Sequence, residues 1–200
     1  MRSLLLISSL ILSFGADAQL ETASGNIEFI MNPSFLGPNY QLSNIEFTGN
    51  PQAVGSFIAD STNLGLSRGV VLTTGFIFGN NGPQGPNNNG QSGADNGYPG
   101  HTFIQEVNYN AAVLEFDLWS FVDTVKFRYV FGSEEYPEFV GSQFNDQFRI
   151  LIEGPGFLGA VNMSVLPNNQ EVSINTVNAT SNPAFFVYNG DGNTAPYNQD

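Results

Sequence analysis

Two neighbouring segments of this chain alternate apolar and charged side chains with a period of two. In residues 113–118 the apolar side chains alternate with acidic ones: Leu114, Phe116 and Leu118 against Glu115 and Asp117. In residues 125–131 they alternate with basic ones: Val125, Phe127, Tyr129 and Phe131 against Lys126 and Arg128. Successive side chains of a strand point to opposite faces, so both segments are predicted to be half-buried strands.

These two segments are expected to pair as an antiparallel hairpin over residues 113–131, with its turn at residues 119–124. In this register the apolar residues face each other as Leu118–Val125, Phe116–Phe127 and Leu114–Tyr129. The charged residues on the other face form the opposite-charge pairs Asp117–Lys126 and Glu115–Arg128. One register therefore satisfies both faces, whereas a slip of one residue would expose the whole apolar set.

The rest of the chain also consists of short apolar runs that are broken by Gly, Asn and Pro, which is typical of strands joined by turns. Further strands are predicted at residues 27–31, 69–73, 148–152, 161–166, 172–176 and 185–188. One short amphipathic helix is predicted at residues 51–63, with Asn50 as its N-cap. Residues 79–100 form a long Gly/Asn-rich loop. The predicted fold class is all-β: an antiparallel β-sandwich, similar to a jelly roll, with that one helix.

The first eighteen residues have the three parts of a secretory signal peptide. Arg2 is basic, residues 4–14 are apolar, and Ala16-Asp17-Ala18 is a small-residue cleavage pattern. Cleavage after Ala18 would leave residues 19–200 as one domain, in a secreted or cell-surface location. The chain has no cysteine, so its stability must come from packing, with ions as the other available source.

The charge balance narrows the classes of partner. The net charge is -13 with only five Lys and Arg residues, which excludes nucleic acid as a partner. The apolar run at residues 4–14 is too short to span a bilayer. Divalent cations remain the partner class that an acidic chain attracts, although acidity also keeps extracellular proteins soluble.

Residues 131–156 join two predicted strands and concentrate the acidic side chains. The oxygen donors in this connection are Glu134, Glu135, Glu138, Asn145 and Asp146. Carboxylate and amide oxygens are the ligands that Ca²⁺ takes, so these residues are the candidate calcium site. Their spacing does not match an EF-hand loop, and a solvated corner is the alternative. Glycoside hydrolysis by two of these acids is disfavoured, because no further motif supports it.

Three other features carry candidate roles. Trp119 lies at the predicted hairpin turn, where it is expected to be exposed and could stack on a sugar. His101 is the single histidine, and it is interpreted as a loop residue because no catalytic or zinc motif accompanies it. Asn162 and Asn178 begin formal N-glycosylation sequons.

Four segments resemble the choice-of-anchor L domain family. They are GVVLTTG at residues 69–75, AAVLEFDLW at 111–119, VKFRYVFGSEEYPEFVGSQFNDQFRILIEGPG at 125–156 and EVSINTVNA at 171–179. The resemblance implies an exported bacterial β-rich module whose proteins carry varied C-terminal anchoring or sorting signals, including those of type IX secretion in Bacteroidetes. No enzymatic role or catalytic residue comes with it. It also implies that the domain is incomplete at its C-terminus, with an anchor beyond residue 200.

The expected function is a non-enzymatic exported surface module, used in adhesion or as a structural part of a larger surface protein, with Ca²⁺ as the candidate cofactor. The alternative is a carbohydrate-binding module or an accessory domain of a secreted hydrolase. The expected partner is an extracellular glycan or a surface protein.

Overall fold

The structure, a computed structural model, describes residues 20–31, 37–60, 62, 64–77, 95–104 and 108–188. The elements of these residues are β1 (Glu21–Ala23), α1 (Ile27–Ile30), β2 (Tyr40–Thr48), β3 (Val54–Ile58), β4 (Arg68–Leu72), β5 (Val113–Ser120), β6 (Gln147–Phe148), β7 (Leu151–Ile152), β8 (Val161–Asn162) and β9 (Val172–Ser173), with single 3₁₀ turns at Pro51–Ala53 and Pro183–Phe185. The predicted all-β class is confirmed.

The strands form small antiparallel sheets. In the described residues these are β1-β3-β4, β2-β5, β6-β9 and β7-β8, and none of them closes into a barrel. The strand predicted at residues 69–73 is confirmed as β4. No helix among the described residues is long and apolar enough to cross a membrane.

One part of the core lies on the three-stranded sheet. Phe57 of β3 is buried and lies opposite Gly69 of β4, whose missing side chain leaves room for the phenyl ring. Gly55 of β3 meets Ile77 and the backbone of Ala23 of β1 so closely that a β-carbon there would lie 2.3 Å from Ile77 Cδ1. The glycines at these positions therefore allow the strands and the buried Ile77 to approach each other.

The predicted hairpin at residues 113–131 is wrong in its pairing. Its first half is confirmed as β5, but β5 pairs with β2, where Leu118 faces Leu42 and Leu114 faces Phe47. Residues 121–131 are not assigned to a strand, and Phe127 and Tyr129 are exposed instead of facing Phe116 and Leu114. The physical reason is that β2 also carries alternating apolar residues. It can therefore cover the apolar side of β5 no less effectively than residues 125–131 would.

The predicted helix at residues 51–63 is also wrong. Asn50 does act as an N-cap, since its side chain accepts a hydrogen bond from the backbone N–H of Gln52 at 2.9 Å. The helical conformation nevertheless ends after the turn at Pro51–Ala53, and β3 follows directly. Val54, Gly55 and Phe57 lower the helix propensity, and pairing with strands on both sides of β3 determines the outcome.

The remaining strand predictions are confirmed only in part. Residues 27–31 were predicted as a strand, but they form the short helix α1, whose Asn26 cap accepts from the N–H of Glu28. Residues 148–152 are divided between β6 and β7, and residues 161–166 and 172–176 contain the shorter β8 and β9. Residues 185–188 form no strand, since residue 185 ends the turn at Pro183–Phe185 and residues 186–188 are irregular. The proposed signal peptide and most of the Gly/Asn-rich loop lie outside the described residues.

A second hydrophobic cluster lies next to the segment that carries the candidate calcium ligands. Leu166, Val172 and Val177 are buried together, and the half-buried rings of Phe131 and Phe186 pack against them. Phe131 immediately precedes the predicted site residues in the chain. The cluster therefore fixes the start of the segment that carries them.

Candidate functional site

Residues 132–146, here called the acidic loop, pack against the turn that follows β9. Asn175 in this turn makes three of the contacts. Its Oδ1 accepts from Gly141 N at 2.5 Å, its Nδ2 donates to Ser142 O at 3.1 Å, and its backbone N–H donates to Oδ1 of Asn145 at 3.2 Å. The backbone N–H of Ile174 donates to Asp146 O at 3.2 Å. The second half of the loop is therefore held by one amide side chain and the backbone around it.

Tyr136 fixes the first half of the acidic loop. Its hydroxyl donates to the backbone oxygen of Val177, and its ring lies 5.1 Å from the ring of Phe186, centroid to centroid. Burial, together with the negative charge of Asp146, raises the pKa of the Tyr136 phenol to about 12. Tyr136 is therefore a neutral hydrogen-bond donor that anchors the loop to the hydrophobic cluster.

The acidic side chains of the loop affect one another electrostatically. Burial raises the pKa of Glu135, and the charges of Asp146, Glu134 and Glu138 raise it further. Ser133 Oγ donates to Asp146 Oδ2 at 2.7 Å and accepts from the N–H of Glu135 at 3.1 Å. The fold thus brings together the acids that the sequence analysis singled out, and it makes ionisation of Glu135 less favourable.

The calcium assignment stays a prediction. Among the residues that the structure describes, no group of three His, Cys, Asp or Glu side chains is arranged to hold a metal ion. Asn145, one of the five predicted ligands, uses its side-chain oxygen to accept from Asn175. Calcium also takes amide and backbone oxygens, which such a loop supplies, and a bound cation would offset the repulsion around Glu135.

A second polar surface is the outer face of β2 and β5, here called the β2–β5 face. Trp119 is exposed there, as predicted, with 68% of its surface accessible, and Gln41 of β2 lies opposite to it. Asp117 accepts a hydrogen bond of 2.6 Å from Asn44 Nδ2. Glu46 lies directly opposite Glu115. This face combines an exposed indole ring with carboxylates and amides.

The part of this face that β2 contributes was not predicted from the sequence. A β-bulge between Ser43 and Glu46 places Asn44 in the left-handed region, with φ of 50°, next to Asp117. The alternation of Leu42 with polar neighbours in residues 40–48 was the available signal for this strand. The bulge interrupts the period of two, so the signal is weaker there than in β5.

The surroundings of His101 and of the two sequon asparagines bear on their candidate roles. His101 lies in a turn, as expected, where its ring stacks on Phe103 at 5.1 Å. Asn178 is 3% exposed, and its amide contacts Ile174 O, Thr180 N and other groups of its own turn. In the folded protein its sequon is therefore closed to glycosylation, and the Nδ2 atom of Asn162, to which a glycan would be attached, is buried as well.

The fold and these surfaces define an acidic all-β module whose polar side chains are arranged on a packed loop and on one sheet face. A comparison with protein-family models matches residues 20–200 to the choice-of-anchor L domain. The chain therefore belongs to this family, which confirms the resemblance that the sequence motifs indicate. Searches of curated proteins and of solved structures gave no significant match.

Family membership bears on the general role of the chain. A choice-of-anchor domain suggests an exported or surface-associated module. The family is a surface-anchor domain and is not a known family of enzymes.

Proposed function

We propose that this chain is a non-enzymatic, exported cell-surface module, which serves adhesion or a structural role in a larger surface protein. The observation that carries the proposal is the family match over residues 20–200. The signal-peptide pattern of residues 1–18 and the net charge of -13 agree with export and with an aqueous extracellular setting.

Labelling of the source cells with an antibody against the folded domain tests this location. Intact cells are expected to be labelled, and Leu6→Arg, which interrupts the apolar run of the signal pattern, should abolish the labelling. Leu6→Ile keeps the apolar run and serves as the matched control. Labelling that requires permeabilised cells would contradict the proposal.

A carbohydrate-binding module, or an accessory domain of a secreted hydrolase, is the second candidate. The observation in its favour is the β2–β5 face, where the exposed indole of Trp119 has Gln41 and Asp117 as polar neighbours. Indole rings combine a large apolar surface with a polar tip, and carboxylates and amides can bind hydroxyl groups.

A glycan array with the wild-type chain and Trp119→Ala separates the two candidates. Under the second candidate, a subset of glycans binds and Trp119→Ala removes that binding. Phe121→Ala is the matched control, because Phe121 is also an exposed aromatic residue, 64% accessible, and lies just beyond β5. Absence of binding with and without calcium would leave the structural or protein-adhesive role.

Calcium binding by Glu134, Glu135, Glu138, Asn145 and Asp146 is part of the first proposal. In this role the ion would stiffen the acidic loop and would reduce the repulsion between its carboxylates.

A further inference from the structure

Two stretches of backbone lack pairing partners in the part of the chain that the structure describes. The first is one edge of β5, since β2 is the only described strand that pairs with β5. The second is residues 125–130, which take part in no backbone–backbone hydrogen bond with another described residue. This second stretch, here called the unpaired segment, also exposes apolar side chains of one face; Phe127 is 44% and Tyr129 40% accessible. Unpaired edges with exposed apolar residues are templates for pairing with another strand.

The two stretches are complementary in charge. Glu115 and Asp117 lie on the exposed face of β5, about 7 Å apart because they are two residues apart in a strand. Lys126 and Arg128 have the same spacing in the unpaired segment and are exposed. In the described residues the one ion pair is Arg149–Glu171, so none of these four charges has an ionic partner among them.

Hydrogen bonds hold the unpaired segment away from the free edge of its own β5. The backbone N–H of Phe121 donates to Asn39 O at 3.0 Å, and the Tyr40 hydroxyl donates to Thr124 O at 3.4 Å, so the chain leaves β5 on the side of β2. Arg128 Nη2 then donates to Gly65 O at 2.7 Å. The segment and the edge that match in pattern and charge are thus separated within one molecule.

We propose that the occupant of the free edge of β5 is the unpaired segment of a second copy of this chain. Each copy then gives its segment and receives one, so that the two contacts close around a two-fold axis and no edge is left to extend the assembly. The register places Asp117 opposite the partner's Lys126 and Glu115 opposite the partner's Arg128. Phe116 then faces the partner's Phe127, and the apolar residues of both strands are covered.

The charges also disfavour a simpler dimer in which two unpaired segments pair with each other. An antiparallel pairing centred on Phe127 places Lys126 directly opposite the partner's Arg128, and like charges opposite each other are destabilising. Pairing with β5 replaces this repulsion by attraction. This pairing also places the partner's basic residues beside Glu115 and Glu46, which lie opposite each other in β5 and β2.

Mixed disulfide formation tests this arrangement directly, because the chain contains no cysteine. Asp117→Cys and Lys126→Cys are purified as separate full-chain variants, mixed at equal concentration and oxidised with dissolved oxygen and a copper catalyst. Since each chain carries one thiol, a product can form only between two chains. The mixture is expected to give a cross-linked heterodimer on a non-reducing gel, at least tenfold more than either variant alone.

Asp117→Cys mixed with Phe127→Cys is the matched control. Phe127 is next to Lys126 in the chain, so in the proposed pairing its side chain points to the face opposite Asp117. This mixture should give little product. Equal yields in the two mixtures, or no product from the first, would overturn the proposal.

The oligomeric state of the chain without cysteines provides an independent measurement. Light scattering should give the mass of a dimer at micromolar concentrations, and Lys126→Glu combined with Arg128→Glu should give the mass of a monomer. Adding Glu115→Lys and Asp117→Lys to that variant should restore the dimer, which a mere folding defect would not allow. A monomeric wild-type chain, or no restoration by the charge swap, contradicts the exchange.

Discussion

The hydroxyl group of Ser133 donates a hydrogen bond of 2.7 Å to Oδ2 of Asp146 and so joins the beginning of the acidic loop to its end. Ser133 Oγ also accepts from the backbone N–H of Glu135 at 3.1 Å. Ser133 therefore fixes the position of one carboxylate relative to the backbone of another. The loop owes its shape to this contact and to the Asn175 contacts at its far side.

Removal of the Ser133 hydroxyl should destabilise the protein and loosen the acidic loop. Hydrogen bonds to a charged partner contribute about 1.5–3 kcal/mol, and this one is partly buried, so Ser133→Ala should lower the free energy of unfolding by about 1–2 kcal/mol. Urea denaturation measures the loss. Ser142→Ala is the control, because its hydroxyl accepts from the nearby N–H of Phe144 on the surface. Equal losses of unfolding free energy in the two variants would show that the Ser133–Asp146 hydrogen bond does not stabilise the loop.

The close approach at Gly55 gives a second prediction. A β-carbon at this position would lie 2.3 Å from Ile77 Cδ1 and 2.5 Å from Ala23 O, so β1 or the buried Ile77 side chain would have to move. Gly55→Ala should cost about 1–3 kcal/mol of unfolding free energy, the range for overpacking. Gly132→Ala adds the same methyl group where no atom lies within 4 Å, and it should change stability by less than about 0.5 kcal/mol. A neutral effect of Gly55→Ala would show that the sheet accommodates the methyl group.

Local sequence patterns predicted where strands and caps occur better than they predicted which strands pair with each other. The alternation around Phe116 identified β5, and the Asn50 cap was correctly placed. The partner of β5 could not be deduced, since pairing energies of about 0.2–1 kcal/mol per residue pair do not distinguish two similar strands. The helix prediction failed for a related reason. Val54 and Phe57 have the spacing of a helix face, but they also suit a buried strand, and tertiary pairing decided between the two.

For the candidate site, too, the local sequence predicted which residues take part but not the residues that they contact. Composition alone identified the acids around Glu135, because they are concentrated in one connection of a chain with 12% charged residues. The clamp formed by Asn175 could not be predicted, since it depends on a contact between residues more than thirty positions apart. The exposure of Trp119 was predicted from its place at the expected hairpin turn, whereas the structure has this residue within β5. Its neighbours Gln41 and Asn44 belong to β2, whose pairing the sequence left undetermined.

The raised pKa of Glu135 predicts how stability depends on pH near this carboxyl group. Between the unfolded pKa of 4.5 and the higher folded value, the folded state binds more protons than the unfolded state. The free energy of unfolding must therefore fall as pH rises through this interval. Glu135→Gln removes the ionisation and should make the protein more stable than wild type above the interval. The gain should disappear below pH 4.5.

Urea denaturation at several pH values between 3.5 and 8, a range chosen to span that interval, measures this difference. Glu171→Gln should behave in the opposite way, because a hydrogen bond from Arg149 lowers the pKa of Glu171. The stabilisation that Glu171 contributes is present above its unfolded pKa of 4.5 and is lost as pH falls through its folded value. A pH-independent difference between Glu135→Gln and wild type would argue against mutual repulsion in the acidic loop.

Calcium is expected to raise the melting temperature if the acidic loop binds it, and EDTA should reverse the gain. At a free concentration one hundred times the dissociation constant, the added stability is about 2.7 kcal/mol, which is readily detected by calorimetry. Asp146→Asn should weaken the response at least tenfold in calcium concentration, since it removes a charge that acts on Glu135. Glu153→Gln, an exposed substitution after β7, removes the same charge elsewhere and should leave the response unchanged. An equal response in both variants would place the ion outside the acidic loop, and no response in the wild-type chain would leave these carboxylates as a solvated corner.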